Sequence, residues 1–236
     1  IEAGYKPKAT YEYQDENART VFYVDRYEKP KTLLKVGEKP KVFDQRTDKG
    51  EGRGDTPNLL YNLPAVIKSH TVYVVEGEKD VETLRGINIV ATCNPGGAGK
   101  WDETFNKFFE GKRVIMVDDS IVRGTTSGKI VKMLRNAGAK AVYMCVSSPP
   151  IGYPCYYGID TSVRQARIAA TQTGEEIREY IGADGLHFLS LEGLMKSVSK
   201  VPADEMCYAC FNQAYPVAQG ERPQGDSKYV FEQRKC

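Results

Sequence analysis

The chain has 236 residues, and its 33 basic and 31 acidic residues leave a formal net charge of +2 at pH 7. A charge this close to zero gives no global electrostatic argument for binding a nucleic acid or a membrane. No stretch approaches the roughly 18 consecutive apolar residues of a membrane-spanning helix, and the N-terminus lacks the basic and then apolar pattern of a signal peptide. We therefore expect a cytoplasmic protein without membrane contact. The chain begins at Ile1 rather than at Met, which is compatible with a fragment of a longer protein.

Residues 1–70 hold short alternating apolar runs, at 20–24 and 41–43, separated by clusters of Pro, Gly, Asp and Lys. This pattern predicts a small β-rich element, in which we expect the polar loop 48–57 to be flexible. A mild basic excess over 19–53 is interleaved with aromatic residues, as in proteins that bind single-stranded DNA. We favour a solvated face above a tyrosine-rich core and keep DNA contact as the alternative. These aromatic residues are Tyr11, Tyr13, Phe22, Tyr23 and Tyr27.

Residues 71–112 alternate between strand and helix patterns. We predict a strand at 71–75, a short helix that follows the acids at 76–80 and runs to Leu84, and a strand at 87–91. A glycine-rich turn at 94–99 then leads into a predicted helix at 101–109. Three aromatic residues of that helix are expected to face inward, namely Phe105, Phe108 and Phe109.

The stretch 114–127 combines a buried strand with a loop suited to an anion. Four apolar residues at 114–117 predict a buried parallel strand, and two acids, Asp118 and Asp119, follow at its carboxyl edge, where open α/β sheets bind ligands. Gly124 allows the backbone to approach a phosphate, and the hydroxyl groups of 125–127 precede a helix predicted to begin near Ser127. The apolar face of that helix is formed by Ile130, Val131, Leu134 and Ala137, and Gly138 marks its end.

A further strand is predicted at 141–146, with a right-handed crossover from the preceding strand. The C-terminal part is predicted to be helical, because Thr173 with Glu176 predicts a capping box and Ser190 predicts a second helix start. The predicted fold class is therefore α/β, with a mainly parallel Rossmann-like sheet over 71–146, a small β-rich N-terminal element and a helical C-terminal part. Residues 218–236 are polar and rich in Gly, Pro and Gln, so we expect a disordered tail.

The run VDDSIVRGTTS at 117–127 resembles the phosphoribosyl pyrophosphate (PRPP) motif of phosphoribosyltransferases. Its residue sequence is specifically similar to that of the amidophosphoribosyltransferase family. The runs SSPPIGYPCYYGID, EEIREYIGADGL and LSLEGL resemble the same family. The resemblance implies that the two acids hold the ribose hydroxyls and an associated Mg²⁺, and that the loop holds the 5′-phosphate. Its implied partners are PRPP and nucleotide phosphates. The implied PRPP-binding residues are Asp118, Asp119, Ser120, Ile121, Val122, Arg123, Gly124, Thr125, Thr126 and Ser127.

Six cysteines are expected to be thiols or metal ligands in a cytoplasmic protein. The CxxC pair, Cys207 and Cys210, has the spacing of a metal or cluster site. In the cluster-bearing branch of amidophosphoribosyltransferases, the resemblance makes Cys155, Cys207 and Cys210 three of the four ligands of a [4Fe-4S] cluster. The set is incomplete, and the fourth position stays open among Cys93, Cys145 and Cys236.

A second resemblance covers the first part of the chain. The runs LYNLPAV, VVEGEKDVETL and ATCNPGGAGKW resemble the TOPRIM segment of primase and primase-helicase proteins. That family carries out Mg²⁺-dependent nucleotidyl transfer with a catalytic glutamate, implied here to be Glu76, and with an Asp-x-Asp motif. Ser120 stands where the second acid of that motif would be, so a metal ligand is missing. An equal alternative for 76–80 is a helix start with favourable acids.

These observations predict four segments: a primase-like element at 1–70, a TOPRIM-like segment at 71–112, a phosphoribosyltransferase-like segment at 113–217 that continues the same sheet, and the tail. Three functional hypotheses follow. The first is a PRPP-binding phosphoribosyltransferase of purine biosynthesis, with no glutamine-dependent activity because the sequence shows no glutaminase nucleophile. The second is a TOPRIM nucleotidyltransferase or DNA-binding fragment of a phage or mobile element. The third is an inactive chimera. The sequence does not determine the oligomeric state, and a homo-oligomer is compatible with it.

Overall fold

The structure, a computed structural model, describes residues 4–97, 100–156, 167–198 and 202–216. The chain divides into two compact units, Ile1–Lys112 and Arg113–Cys236. The predicted tail at 218–236, with Cys236, lies outside the described residues, as do the end of the predicted glycine-rich turn and part of the run SSPPIGYPCYYGID. Among the described residues, none of the helices has the length and apolar character needed to cross a bilayer.

The first unit contains an antiparallel sheet, a parallel strand pair and two helices. Its strands are β1 (Lys6–Gln14), β2 (Thr20–Glu28), β3 (Lys41–Thr47), β4 (Gly50–Glu51), β5 (Thr71–Val74) and β6 (Ala91–Thr92), and its helices are α1 (Leu63–Lys68) and α2 (Glu78–Arg85). Short 3-10 helices lie at Lys31–Leu33 and Glu103–Phe108. Strands β1 to β4 pair in order as antiparallel neighbours, and β5 pairs with β6 in parallel. The predicted β-rich N-terminal element is thus present.

The core of the first unit is aromatic, as the favoured sequence interpretation expected. Tyr13 and Phe22 are opposite one another on β1 and β2, are fully buried, and stack with ring centroids 4.4 Å apart. Tyr11 is also buried, whereas Tyr23 and Tyr27 are partly exposed. The three buried rings are therefore withdrawn from any role in stacking on bases.

The second unit is a parallel three-stranded arrangement with helices. Its strands are β7 (Arg113–Asp118), β8 (Ala141–Val146) and β9 (Gly185–Phe188), and β8 pairs in parallel with both others. Its helices are α3 (Thr125–Asn136), α4 (Gly174–Ile181), α5 (Leu191–Ser197) and α6 (Ala209–Asn212), with 3-10 helices at Ile168–Ala170 and Ala203–Glu205. The α/β fold class with parallel strands is confirmed.

Two predicted elements of the first unit differ from the structure. The predicted strand 87–91 is reduced to β6, because the backbone N–H groups of Ile87, Asn88 and Ile89 donate to carbonyls at the end of α2 and cannot join a ladder. The predicted helix 101–109 is a shorter 3-10 helix at Glu103–Phe108; Phe105 within it and Phe109 directly after it are buried. The prediction that Phe108 faces inward is wrong: it is partly exposed, beneath the Lys107 ammonium.

In the second unit, helix α3 begins at Thr125, slightly earlier than predicted, and it buries Val131 and Leu134 as expected. Of the four apolar residues in the predicted buried strand, only Val114 is buried; the other three are partly exposed. Strands β1 and β9 and helices α1 and α6 were not predicted. Three of these elements, α1, β9 and α6, span only four to six residues and carry too few repeats for apolar periodicity to reveal them.

The capping box at Thr173 is confirmed and supplies a test of local stability. Thr173 Oγ1 accepts from the Glu176 N–H at 3.3 Å, and the Glu176 carboxylate accepts from the Thr173 N–H at 2.7 Å. Because Thr173→Ala removes one of these two reciprocal bonds, it should lower the free energy of unfolding by about 1 kcal/mol. Urea denaturation measures this loss. Glu179→Ala, an exposed change in the same helix, should cost clearly less, and equal losses would contradict the capping role.

Candidate functional site

The two acids of the predicted site stand where β7 ends. Asp118 is the last residue of the strand, opposite Val146 in β8, and Asp119 is exposed in the loop beyond it. The Asp119 N–H donates to Asp118 Oδ1 at 2.9 Å, and Ser120 Oγ donates to Asp119 Oδ1 at 3.0 Å. These short-range bonds orient both carboxylates at the carboxyl edge of the parallel strands, which is the edge where such sheets bind ligands.

The loop reaches helix α3 through a left-handed residue. Gly124 has φ +73°, a conformation that glycine adopts without steric cost, and it precedes the first helical residue, Thr125. The Gly128 N–H donates to Gly124 O at 2.9 Å, so the N–H groups of the first turn have no partner within the helix. The hydroxyl-bearing residues Thr125 and Thr126 are exposed, while Ser127 is buried. The helix start therefore offers N–H groups and two accessible hydroxyls to an anion.

Two segments that the sequence did not connect with the loop hold it in place. The Ser147 N–H, directly after β8, donates to Asp118 O at 3.0 Å. The Ile168 N–H donates to Val122 O at 2.8 Å, and Ile121 is buried as an apolar anchor. Of the predicted PRPP-binding residues, Ile121 and Val122 thus lie where they shape the loop, and Arg123 remains exposed. The position of Ser147 after β8 was a usable signal, whereas nothing in the sequence pointed to Ile168.

The carboxylate pair suits a hard cation that shares its ligands with a phosphate substrate. Mg²⁺ is usually held by one or two carboxylates together with substrate phosphates and water. Asp118 and Asp119 supply that number of carboxylates. Within the described part of the chain, no group of three or more His, Cys, Asp or Glu side chains is arranged to hold a metal ion without such help.

The cysteines do not form a cluster site in the described part of the chain. Cys155 and Cys210 are partly buried and Cys207 is exposed. Within the described residues, these three thiols are not arranged as a group that could hold a metal ion. Burial raises the pKa of Cys210, and electrostatic interactions with Cys155 and Cys207 raise it further. Of the candidates for a fourth ligand, Cys93 is fully buried with its pKa raised by burial, and Cys145 lies within β8. The cysteines within the described residues therefore do not fit a [4Fe-4S] cluster, and no step of chemistry is assigned to one.

The acids of the first unit have separate roles. Glu76 is exposed just after β5, as a ligand-facing residue at the carboxyl end of a strand would be. Glu78 is instead buried in the first turn of α2, where its Oε1 accepts from the Tyr13 hydroxyl at 2.7 Å. This hydrogen bond connects α2 to the aromatic core, so Glu78 has a structural role.

Comparison with known proteins finds relatives for about half of the chain. The chain is 58% identical over 110 residues to amidophosphoribosyltransferase of Bacillus subtilis, an alignment that covers 45% of this chain and 23% of the relative. About half of the chain is homologous to amidophosphoribosyltransferase. Amidophosphoribosyltransferase 1, chloroplastic, of Arabidopsis thaliana is 56% identical over 108 residues, which are 46% of this chain and 19% of the relative. The chain thus spans less than a quarter of the length of these relatives. No protein-family model matches it.

Solved structures agree with this homology. The structure of the allosteric regulatory enzyme of purine biosynthesis has a TM-score of 0.53 at 38% sequence identity, over 66% of this chain and 40% of the other. Glutamine PRPP amidotransferase from Bacillus subtilis, complexed with ADP and GMP, has a TM-score of 0.52 at 39% identity, over 66% of this chain and 41% of the other. The resemblance of the first part of the chain to TOPRIM proteins stays a prediction.

Proposed function

We propose that the second unit binds PRPP and acts as a phosphoribosyltransferase of the amidophosphoribosyltransferase type, in purine nucleotide biosynthesis. The observation that carries the proposal is the β7, loop and α3 arrangement, in which paired carboxylates and a free helix start flank one loop. Homology of half the chain to amidophosphoribosyltransferase supports it.

Each end of the loop suits one part of PRPP. Asp118 and Asp119 would accept hydrogen bonds from the ribose hydroxyls and hold Mg²⁺, which would neutralise pyrophosphate charge as the bond to it breaks. The first-turn N–H groups of α3, with the hydroxyls of Thr125 and Thr126, would bind the 5′-phosphate. Holding both ends of the ribose fixes the reacting carbon relative to an incoming amine, and orientation of this kind accelerates bimolecular reactions.

Calorimetric titration of PRPP into the full chain tests the proposal. We expect saturable, one-to-one binding in the presence of Mg²⁺, and much weaker binding when EDTA removes the metal. Ribose 5-phosphate, which keeps the ribose hydroxyls and the 5′-phosphate but lacks the pyrophosphate, should bind more weakly and respond little to EDTA. Absence of PRPP binding by a protein with a cooperative unfolding transition would overturn the proposal and favour the inactive chimera.

A second candidate function concerns the first unit. The exposed position of Glu76, just after the carboxyl end of β5, is compatible with a TOPRIM-type metal ligand. If the chain is a DNA-binding fragment, DNA would bind to the surface around Glu76. Burial of Tyr11, Tyr13 and Phe22 weighs against base stacking there. Fluorescence anisotropy with labelled single-stranded DNA distinguishes the cases, because binding through phosphates falls steeply with salt. No binding at low salt would remove this candidate.

A further inference from the structure

In the first unit, residues 29–41 connect β2 to β3 and form an ordered loop, which we call the lysine loop. At its base, the Lys29 N–H donates to Pro40 O at 2.9 Å. Within it, the Glu38 carboxylate accepts from Lys29 Nζ at 2.7 Å and from the Lys35 N–H at 2.8 Å. These bonds hold the loop in one shape, so little conformational freedom remains to be lost when it binds a partner.

Two consecutive turns of the lysine loop present aliphatic side chains to solvent. Leu33 ends a short 3-10 helix and is 60% exposed. The Glu38 N–H then donates to Lys35 O at 3.1 Å and closes a turn, in which Gly37 adopts φ +87°. Val36 stands beside this glycine at the tip of the turn, and its side chain is fully exposed. Single exposed aliphatic residues are common on protein surfaces, so the surroundings of this pair decide whether it has a role.

These surroundings are basic, in contrast with the nearly neutral chain as a whole. The acids of residues 28–41 are Glu28 and Glu38, and each is already paired, with Arg26 and with the buried Lys29 respectively. Exposed lysines lie in the loop and at the adjoining ends of β1 and β3, where two of them face Glu28 across the sheet. The exposed lysines are Lys6, Lys31, Lys35, Lys39 and Lys41. The aliphatic pair is therefore surrounded by positive charge.

A partner that matches the lysine loop must be anionic and must also accept aliphatic groups. Single-stranded nucleic acids offer phosphates, but the proteins that bind them stack aromatic side chains on the bases, and residues 29–41 include no aromatic residue. An anionic phospholipid surface offers phosphates together with an apolar layer directly beneath them. Lysine stems can lie along such an interface while their ammonium groups stay among the headgroups. The combination of charge and aliphatic groups thus favours lipid.

We propose that the lysine loop docks the first unit on anionic phospholipid surfaces, with Leu33 and Val36 inserted below the headgroups and the lysines against the lipid phosphates. The contact is peripheral, since it uses one loop and no membrane-spanning helix. It departs from the expectation that the chain makes no membrane contact. That expectation rested on the charge of the whole chain, whereas the asymmetry is confined to this loop. The inference concerns the first unit and does not depend on the proposed binding of PRPP.

Vesicle co-sedimentation with the full chain tests the charge requirement. We expect binding to vesicles of equal parts phosphatidylcholine and phosphatidylserine, none to phosphatidylcholine alone, and a decline as salt screens the attraction. Lys31→Gln with Lys35→Gln should weaken binding roughly 30-fold, since each lysine at a charged surface contributes about a fivefold factor. The control, Lys49→Gln with Lys68→Gln, removes two exposed lysines elsewhere in the first unit and should bind as the wild type does.

A second pair of variants separates insertion from charge. Leu33→Ser with Val36→Ser keeps every lysine, and we expect it to lose affinity for the mixed vesicles on the order of tenfold, because the aliphatic contribution is gone. Ile67→Ser with Ile87→Ser removes two other aliphatic side chains of the same unit, 39% and 64% exposed, and should leave vesicle binding unchanged.

A tryptophan at the tip of the loop reports insertion directly. With Val36→Trp, lipids that carry bromine on their acyl chains should quench the added emission, and the wild type, whose one tryptophan is Trp101, gives the background. Absence of quenching overturns the insertion. Failure of the folded wild type to bind the mixed vesicles overturns the proposal, as does wild-type affinity in the Leu33 and Val36 double variant. Binding of labelled single-stranded DNA that needs the lysines and not the aliphatic pair, without vesicle binding, would assign the loop to nucleic acid instead.

Discussion

Replacing Asp118 and Asp119 together with asparagine is expected to weaken Mg²⁺-dependent PRPP binding at least about 100-fold. Each substitution removes a charge-assisted contact worth roughly 1.5 kcal/mol or more, and about 1.4 kcal/mol corresponds to a tenfold change in affinity. Asparagine preserves the size of the side chain and one acceptor oxygen, so the bond from the Asp119 N–H to residue 118 can persist. The loss should therefore appear in calorimetry and not in the free energy of unfolding.

A matched double variant, Glu192→Gln with Glu205→Gln, controls for the removal of two negative charges. Both glutamates are exposed in the same unit, and Glu192 forms an ion pair with exposed Lys196 at 2.7 Å. Removing such surface charges costs little, since exposed pairs contribute under about 1 kcal/mol. The control should bind PRPP as the wild type does. If the aspartate variant retained wild-type affinity within threefold, the carboxylates would not belong to the site.

The parts of this site that the sequence predicted are those encoded over short distances. A strand of apolar residues, two acids, a glycine and a helix follow one another within 14 residues at 114–127, so local patterns suffice to place them. The Thr173 capping box is similarly local, since its two bonds join residues three apart. Such features need no knowledge of tertiary structure.

The parts that the sequence did not predict depend on distant contacts or on competition for the backbone. The bond from Ile168 to Val122 O joins positions separated by more than 40 residues, and no periodicity records it. The predicted strand at 87–91 failed for the second reason. Its apolar composition suits a strand, yet Ile87 is 64% exposed and Asn88 adopts φ +61° to complete the end of α2. At these residues, the hydrogen bonds that complete the end of α2 outweigh the β-strand propensity of the apolar side chains.

Gly124→Ala is expected to reduce both stability and PRPP affinity, whereas Gly182→Ala should reduce stability alone. Both glycines have left-handed backbones, with φ +73° and +75°, so each substitution incurs a similar cost of about 1–2 kcal/mol. They differ in what a Cβ would meet. At Gly182 nothing lies within 4 Å, but at Gly124 the Cβ would stand 3.1 Å from Cε1 of Tyr180 and 3.2 Å from Cδ1 of Ile168. The added contact should cost a further 1 kcal/mol or so.

The consequences for binding depend on which neighbour can move. Tyr180 is 56% exposed and can turn its ring away, whereas Ile168 is 8% exposed and also holds Val122 O through its backbone. Relief of the contact at Ile168 therefore shifts the loop that presents the N–H groups proposed to bind phosphate, and we expect at least a tenfold loss of PRPP affinity. Urea denaturation and calorimetry on both variants separate the two effects. Equal affinities in the two variants would show that the rigidity imposed by Ile168 is unimportant to the site.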